Sequence, residues 1–393
     1  MPIALLALTL SAFAIGTTEF VIVGLIPTMA ADLGVSIPSA GLLVSLYALG
    51  VAIGAPVLTA LTGRWRRKTV LLAVMALFVA GNLLAWQAPG YASLVLARVL
   101  TGLAHGVFFS IGATVATSLV SKEKEASAIA IMFTGLTVAL VTGVPLGTYI
   151  GQIFGWQTTF LVVSLLGLGA LIGSALLIPA DLKQPEPAHL GEQLKVLAQP
   201  RLLLVYAITA LGYGGTFIAF TYLAPILEQV TGFSASLTGA ILLVYGASVA
   251  VGNIWGGKLA DRRGPVSALT RIFAGLAVVL LALGFTAYSP VGAVLTVLVW
   301  GAFAFGNVPG LQVYVVQLAQ RYTPKAVDVA SGLNIAAFNV GIALGAWGGG
   351  LVVERSGLMA TPWIGAVIVL LALALTRLSG RLDRQAEGTP CPA

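Results

Sequence analysis

Twelve apolar stretches, each close to the length that crosses a lipid bilayer, dominate the sequence: roughly 3-26, 40-61, 70-88, 93-118, 127-151, 157-179, 202-227, 236-257, 267-288, 291-319, 328-352 and 358-378. A hydrocarbon core about 30 Å thick takes about 20 apolar residues as a helix, the form in which a segment satisfies its own backbone groups. The expected fold class is therefore an all-α membrane protein with twelve transmembrane helices. Charged residues make up 8% of the chain, against roughly 25% in soluble domains. So few charges cannot cover a soluble fold of 393 residues, which excludes an ordinary soluble enzyme. The first stretch holds Ala12-Phe13-Ala14, the small-x-small pattern of a signal-peptide cleavage site. No Lys or Arg precedes it and the apolar run continues to Ile26, so it reads as span 1. The single cysteine, Cys391, excludes a disulfide framework, a zinc cluster and an iron-sulfur site, and neither a metal nor a cofactor is expected.

The basic residues fix an expected orientation. Of the 20 Lys and Arg, 18 fall in the loops that share a side with the termini, Arg355 falls opposite, and Arg98 lies inside a span. The positive-inside rule makes the rich side cytoplasmic, giving a multi-pass protein of the inner, or cytoplasmic, membrane with both termini in the cytoplasm. The formal charge of +7 sits in short clusters between apolar runs, so the expected partner is the lipid bilayer and not a nucleic acid. The long polar interruption at the middle of the chain carries Pro185, Pro187 and His189 and reads as a cytoplasmic linker. The expected domains are an N-terminal six-helix bundle at 1-180, the linker at 181-201, a C-terminal six-helix bundle at 202-380 and a cytoplasmic tail at 381-393.

The two halves repeat. Shifted by 198 residues, 24-71 aligns without a gap on 222-269 with twelve of 48 positions identical, among them Pro27/Pro225, Gly34/Gly232, Ser36/Ser234, Gly41/Gly239, Tyr47/Tyr245, Gly54/Gly252 and Arg64/Arg262. A repeat unit with an even number of spans gives two copies of the same topology. Two such bundles meeting at a midplane cavity can rock about a fixed site and expose it to each side in turn, which is the geometry of a transporter. One cavity per chain implies a monomer.

Several motifs sharpen this. Gly257-Lys-Leu-Ala-Asp261-Arg262-Arg263-Gly264, between spans 8 and 9, resembles the signature loop of the major facilitator superfamily. Its counterpart between spans 2 and 3, from Thr59 through Gly63-Arg64 to Lys68, keeps the basic end but lacks the aspartate. Leu94-x-x-x-Arg98-x-x-Thr101-Gly102 in span 4 is similar to the motif whose arginine is linked to proton coupling. Gly143-Val-Pro145-Leu-Gly147 in span 5 is similar to the antiporter motif, with one residue inserted before the proline. Thr17-Thr18-Glu19-Phe20, Gly24-Leu25-Ile26-Pro27 and His105-Gly106-x-Phe108-Phe109 resemble the arabinose- and sugar-efflux-like branch of the twelve-helix drug:proton antiporters. The resemblance covers the whole chain. It implies the major facilitator fold, with two pseudo-symmetric bundles, and export of a sugar, nucleoside or drug-like compound against protons. It also places Gly257, Asp261, Arg262, Gly264, Arg64, Gly143, Pro145 and Gly147 among gating residues.

Ionisable residues inside the apolar spans are few. A charge at the bilayer centre costs roughly 3 kcal/mol or more, so each needs a reason. Glu19 in span 1 and Arg98 in span 4 fall at similar depths in the outer half, where they could pair. His105 lies on the Arg98 face two turns deeper. Such a set reads either as a proton relay of Glu19, Arg98 and His105, or as a static ion pair with a histidine that glues helices. The repeat mates of 19 and 98 are Phe217 and Thr296, so the pair exists only in the first half. The second half is then expected to supply more of the solute surface: Tyr213 and Phe217 in span 7, Asn307, Tyr314 and Gln317 in span 10, Asn334 and Phe338 in span 11, with Phe109 from span 4. The glycines at 341, 345, 348, 349 and 350 permit close helix approach, and nothing in the chain resembles an ATP-binding loop.

Three other functions compete. A proton symporter that imports its solute differs only in direction. A channel would be built from equivalent pore residues of several copies, unlike two inequivalent halves. An intramembrane hydrolase with His105 activating Ser110 fails because five helical residues turn Ser110 about 140° away from His105.

Overall fold

The computed structural model describes residues 2–58, 61–62, 65–121, 125–180, 182 and 195–387. Among the described residues, twelve helices are long and apolar enough to cross a membrane: α1 Ala4–Leu33, α2 Ile37–Leu58, α3 Arg67–Trp86, α4 Tyr91–Ser118, α5 Ile131–Phe154, α6 Trp156–Leu177, α7 Pro200–Val230, α8 Ala235–Arg263, α9 Pro265–Thr286, α10 Pro290–Tyr322, α11 Val329–Ser356 and α12 Ala360–Gln385. Among the described residues there is no strand. The central part of the expected linker and residues 388–393 of the tail, with Cys391, lie outside the described residues, as does Arg64.

Span 1 runs further than the apolar pattern indicates. Pro27 is accommodated inside α1, which ends only at Gly34, where φ is 62°. That left-handed conformation suits glycine, which has no Cβ to clash. Its repeat mate Gly232 also has positive φ, 83°. Ser36 and Ser234 then open α2 and α8 with nearly identical backbone angles, each side chain accepting a bond from the amide three residues on. The sequence repeat is thus a repeat of helix stops and helix caps.

Within each bundle, glycines let backbones touch. A Cβ on Gly102 of α4 would strike the carbonyl oxygen of Tyr47 in α2, and one on Gly301 of α10 would strike the carbonyl oxygen of Tyr245 in α8. Gly50 and Gly54 meet Val99 and Leu103, and Gly252 and Gly256 meet Ala302 and Gly306, in the same two helix pairs. In α11, Gly341, Gly345 and Gly349 sit against the α7 backbone at Ala210, Gly214 and Ile218, whereas Gly348 faces open space. Small residues suit these interfaces because lipid offers no hydrophobic drive and helices associate through close packing.

The bundles meet in the half of the molecule away from both termini, and α2 and α11 stay in contact as far as residues 54–58. Ser45 of α2 donates to the Ala343 carbonyl of α11 at 2.7 Å. Tyr222 of α7 donates to Ala346 at 3.0 Å and leaves room for no side chain at Gly41 of α2. Gly246 of α8 lies on the Leu140 carbonyl of α5, and Gly24 of α1 packs beside Leu242 of α8.

These contacts predict a contrast between two small substitutions. Gly102→Ala or Gly301→Ala should destabilise the protein by about 1–3 kcal/mol through overpacking against a backbone carbonyl, read as a lowered unfolding temperature. Gly348→Ala should not lower it.

Candidate functional site

Glu19 stands at the middle of α1 and is buried. Its Oε2 lies 3.9 Å from Nδ1 of His105 on α4. The same Nδ1 and the Tyr47 hydroxyl of α2 are hydrogen-bonded at 3.0 Å. The His105 ring packs 4.9 Å from Phe109, which in turn lies 5.2 Å from Phe133 of α5. Among the described residues no hydrogen bond reaches the Glu19 carboxyl.

Arg98 holds three helices together. Its Nη1 donates to the Thr18 carbonyl of α1 at 2.8 Å, and its Nε donates to the Leu43 carbonyl of α2 at 3.3 Å. The guanidinium carbon lies 4.0 Å over the ring of Tyr47, a cation–π contact that is strongest where water is excluded. Nη2 is buried without a partner among the described residues. The direct Glu19–Arg98 pair expected from equal depth is not formed. With α1 extended to Leu33, its midpoint comes level with His105, and Arg98 meets the backbone oxygen one residue earlier. Arg98 and Glu19 remain within electrostatic reach of each other.

An aromatic wall faces this cluster from the second bundle. Tyr213 and Phe217 of α7 stack at 5.9 Å. Tyr213 also meets Phe338 of α11 at 4.5 Å and Phe305 of α10 at 5.7 Å, both edge-on. Phe20, the neighbour of Glu19, reaches across to Phe217 at 6.3 Å and Phe305 at 6.1 Å. The Tyr213 hydroxyl lies within electrostatic reach of Glu19. A titratable carboxyl and a large apolar surface therefore share one place at the junction of the bundles.

The remaining expected cavity residues have other partners. Asn334 accepts from Thr209 at 2.8 Å and donates to Gln312 at 3.0 Å, tying α7, α10 and α11 together. Asn307 donates to the Ala304 carbonyl at 3.0 Å within its own helix. The Tyr314 hydroxyl donates to Asp383 at 2.6 Å beside Ser379, in a cluster closed by the ion pair of Arg201 with Asp383. Gln317 is exposed near the terminal end of α10. Amide and phenol groups in lipid are expensive unless bonded, and for Asn334 and Tyr314 neighbouring helices supply the bonds, while the Asn307 Oδ1 is buried without a partner among the described residues. Phe20, Tyr47 and Phe305 were not expected. An aromatic residue in an apolar span carries no sequence mark that separates wall from core, although the Tyr47/Tyr245 match was a signal.

The motif residues separate into two places. Gly264, with φ 76°, ends α8, while Asp261 and Arg262 are exposed at that end and Gly257 lies over Pro309 of α10. Gly143, Pro145 and Gly147 are buried far from that loop: Gly143 packs on Thr17 and Gly147 on Val21, so they set the fit of α5 against α1 beside Glu19. Residues 139–143 form a wide π-type turn two residues before the proline, where the missing proline N–H frees a helical carbonyl. Ser110 donates to the Gly106 carbonyl at 2.8 Å and His105 is engaged by Tyr47, so the two form no nucleophile–base pair.

A family model described as Major Facilitator Superfamily matches residues 8–323. The chain belongs to the Major Facilitator Superfamily. An uncharacterized MFS-type transporter of Bacillus subtilis, YtbD, is 54% identical over 385 residues, covering 97% of each chain. The inner membrane transport protein YdhP of Escherichia coli K12 is 41% identical over 380 residues, 96% of each. A chloramphenicol resistance protein of Streptomyces lividans is 34% identical over 92% of this chain and 96% of its own. Among solved structures, a bacterial homolog of the human lysosomal transporter Spinster, in an inward-facing and unoccupied conformation, superposes with a TM-score of 0.78 at 17% identity over 96% of both chains. That likeness bears on the fold of this superfamily member, which is a membrane transporter.

The grip of Arg98 on two carbonyls and a ring predicts that lysine cannot replace it, since one ammonium cannot reproduce the planar fork and the stacking. Arg98→Lys should destabilise the protein by about 1.5–3 kcal/mol, the range for hydrogen bonds to a charged group. A thermal unfolding series in detergent, with Arg98→Ala alongside, measures it.

Proposed function

We propose that this transporter is a proton-coupled antiporter that exports a small solute by alternating access. The observation that carries the reading is Glu19: a buried carboxyl in the middle of a membrane helix, free of hydrogen bonds among the described residues, 3.9 Å from His105 and adjacent to Phe20 of the aromatic wall. A carboxylate in that position is costly unless it is protonated, hydrated or neutralised by a neighbour. Arg98 favours the ionised form when water enters, and a proton removes the attraction. Because a ligand can shift two states only through its differential interaction with them, exchange of proton and solute at adjoining groups provides the coupling. His105, with its Nδ1 engaged by Tyr47, is the nearest titratable group for passing the proton on.

With the termini in the cytoplasm, the bundle contacts through Ser45, Tyr222 and Gly246 lie toward the outer side, which supports a state that collects solute from the cell. Export is supported by the resistance function in the name of the Streptomyces relative, and an inner-membrane location by the name of the Escherichia coli one. One carboxyl and one wall per chain support a monomer as the working unit. In the opposite state the terminal ends of the helices must meet, and Asp261, exposed among Lys258, Arg262 and Arg263, then serves as a latch at the end of α8.

Two measurements test the scheme. In proteoliposomes, Glu19→Gln should abolish solute accumulation driven by a pH gradient while solute exchange persists; normal uphill transport by this variant would overturn the proposal. Asp261→Asn should raise labelling of cysteines placed on the cytoplasmic side of the cavity, and unchanged labelling would remove the latch.

A further inference from the structure

Tyr47 and Tyr245 occupy the same place in the two bundles. They are separated by the repeat period, and the carbonyl of each packs against a glycine of the adjoining helix, Gly102 in one case and Gly301 in the other. Their hydroxyls have different surroundings. Three residues after Gly102 comes His105, which bonds Tyr47. Three residues after Gly301 comes Ala304, which offers no polar side chain. The Tyr245 hydroxyl is accordingly buried with no hydrogen-bond partner among the described residues. Next to it, the indole nitrogen of Trp300 is in the same condition. The residues are 2% and 0% exposed, so bulk water does not serve them.

The two rings lie 5.8 Å apart at 78°, and both pack on Phe220, which stacks on Tyr245 at 4.8 Å and meets Trp300 edge-on at 6.1 Å. Phe220 continues the aromatic wall, 5.3 Å from Phe217. Counting along α8 from Ala235 and α10 from Pro290, both residues lie about 15 Å from the N-terminal ends of their helices, in the half of the bundle away from the chain termini.

Two buried donors without acceptors, side by side, are destabilising in a pure packing role, which phenylalanine would fill without the penalty. An indole N–H can only donate. We infer that Tyr245 and Trp300 form a donor subsite at the floor of the aromatic wall that takes an acceptor oxygen of the solute, so that the transporter selects flat aromatic compounds carrying a carbonyl, nitro or comparable oxygen. This rests on the wall being the solute cavity.

The experiment uses purified full-length protein in lipid nanodiscs, with binding to empty nanodiscs subtracted, and two probes of nearly the same shape: 2-acetylnaphthalene, which carries the oxygen, and 2-isopropylnaphthalene, which lacks it. The ketone should bind about three- to tenfold more tightly than the hydrocarbon, the effect of one net hydrogen bond. Trp300→Phe and Tyr245→Phe should each reduce that preference by weakening ketone binding. Equal affinity of the wild-type protein for the two probes, or no saturable ketone binding, would overturn the inference without recourse to any variant. A preference that survives in both folded variants would overturn it as well and would assign the donors to a buried water. Proton coupling is read separately: a ketone preference that persists while pH-driven transport is missing counts against the antiporter proposal alone, and pH-driven transport without the preference counts against the subsite alone.

Discussion

Lipid offers a polar group nothing to bond with, so every donor and acceptor in the spans must find its partner inside the protein. The architecture follows from that requirement. Helices satisfy their backbones locally, and hydroxyls such as Thr17, Ser11 and Thr376 bond the carbonyl one turn back. Side chains with more to satisfy tie helices to one another. Arg98 is the strongest instance, since a guanidinium that cannot be deprotonated under ordinary conditions takes two carbonyls and an aromatic face from neighbouring helices. Thr209, Asn334 and Gln312 do the same work in the second bundle without charge. Several buried groups remain unmatched among the described residues, and two of them, the Tyr245 hydroxyl and the Trp300 indole N–H, lie together beside the aromatic wall.

The pseudo-symmetry is a symmetry of packing and not of chemistry. Gly102 on Tyr47 and Gly301 on Tyr245 give the two bundles the same close helix pair, because close approach depends only on the absence of a side chain. What surrounds that pair has diverged. The first bundle places Arg98 and His105 around its tyrosine, and the second places Trp300 and Phe220 around the other. One scaffold thus carries an ionisable wall and an aromatic wall that face each other at the junction, with Phe20 spanning the gap. In the proposed scheme an ion and a solute act on each other across this junction, without a signal passing through the length of a helix.

The number of spans, the repeat and the isolation of Glu19, Arg98 and His105 were all legible in the residues. Each depends on composition or on spacing along one helix, and lipid enforces both strictly. Gly34/Gly232 and Ser36/Ser234 were likewise legible, since a left-handed stop and a serine cap act within a few residues of their own position. Partnership across helices was not. Whether Arg98 would meet the Glu19 carboxylate or the Thr18 carbonyl depends on an axial offset of a few residues, set by where α1 ends and how it tilts. Asn334, Tyr314 and Gln317 share polar character and helical faces with a cavity lining, yet Asn334 and Tyr314 are bonded to neighbouring helices and Gln317 is exposed, because rotation about each helix axis is fixed by packing against all its neighbours at once. Phe20 and Phe305 show the converse: one-dimensional patterns cannot distinguish an aromatic ring that fills a core from one that lines a junction, since that difference exists only when two bundles are brought together.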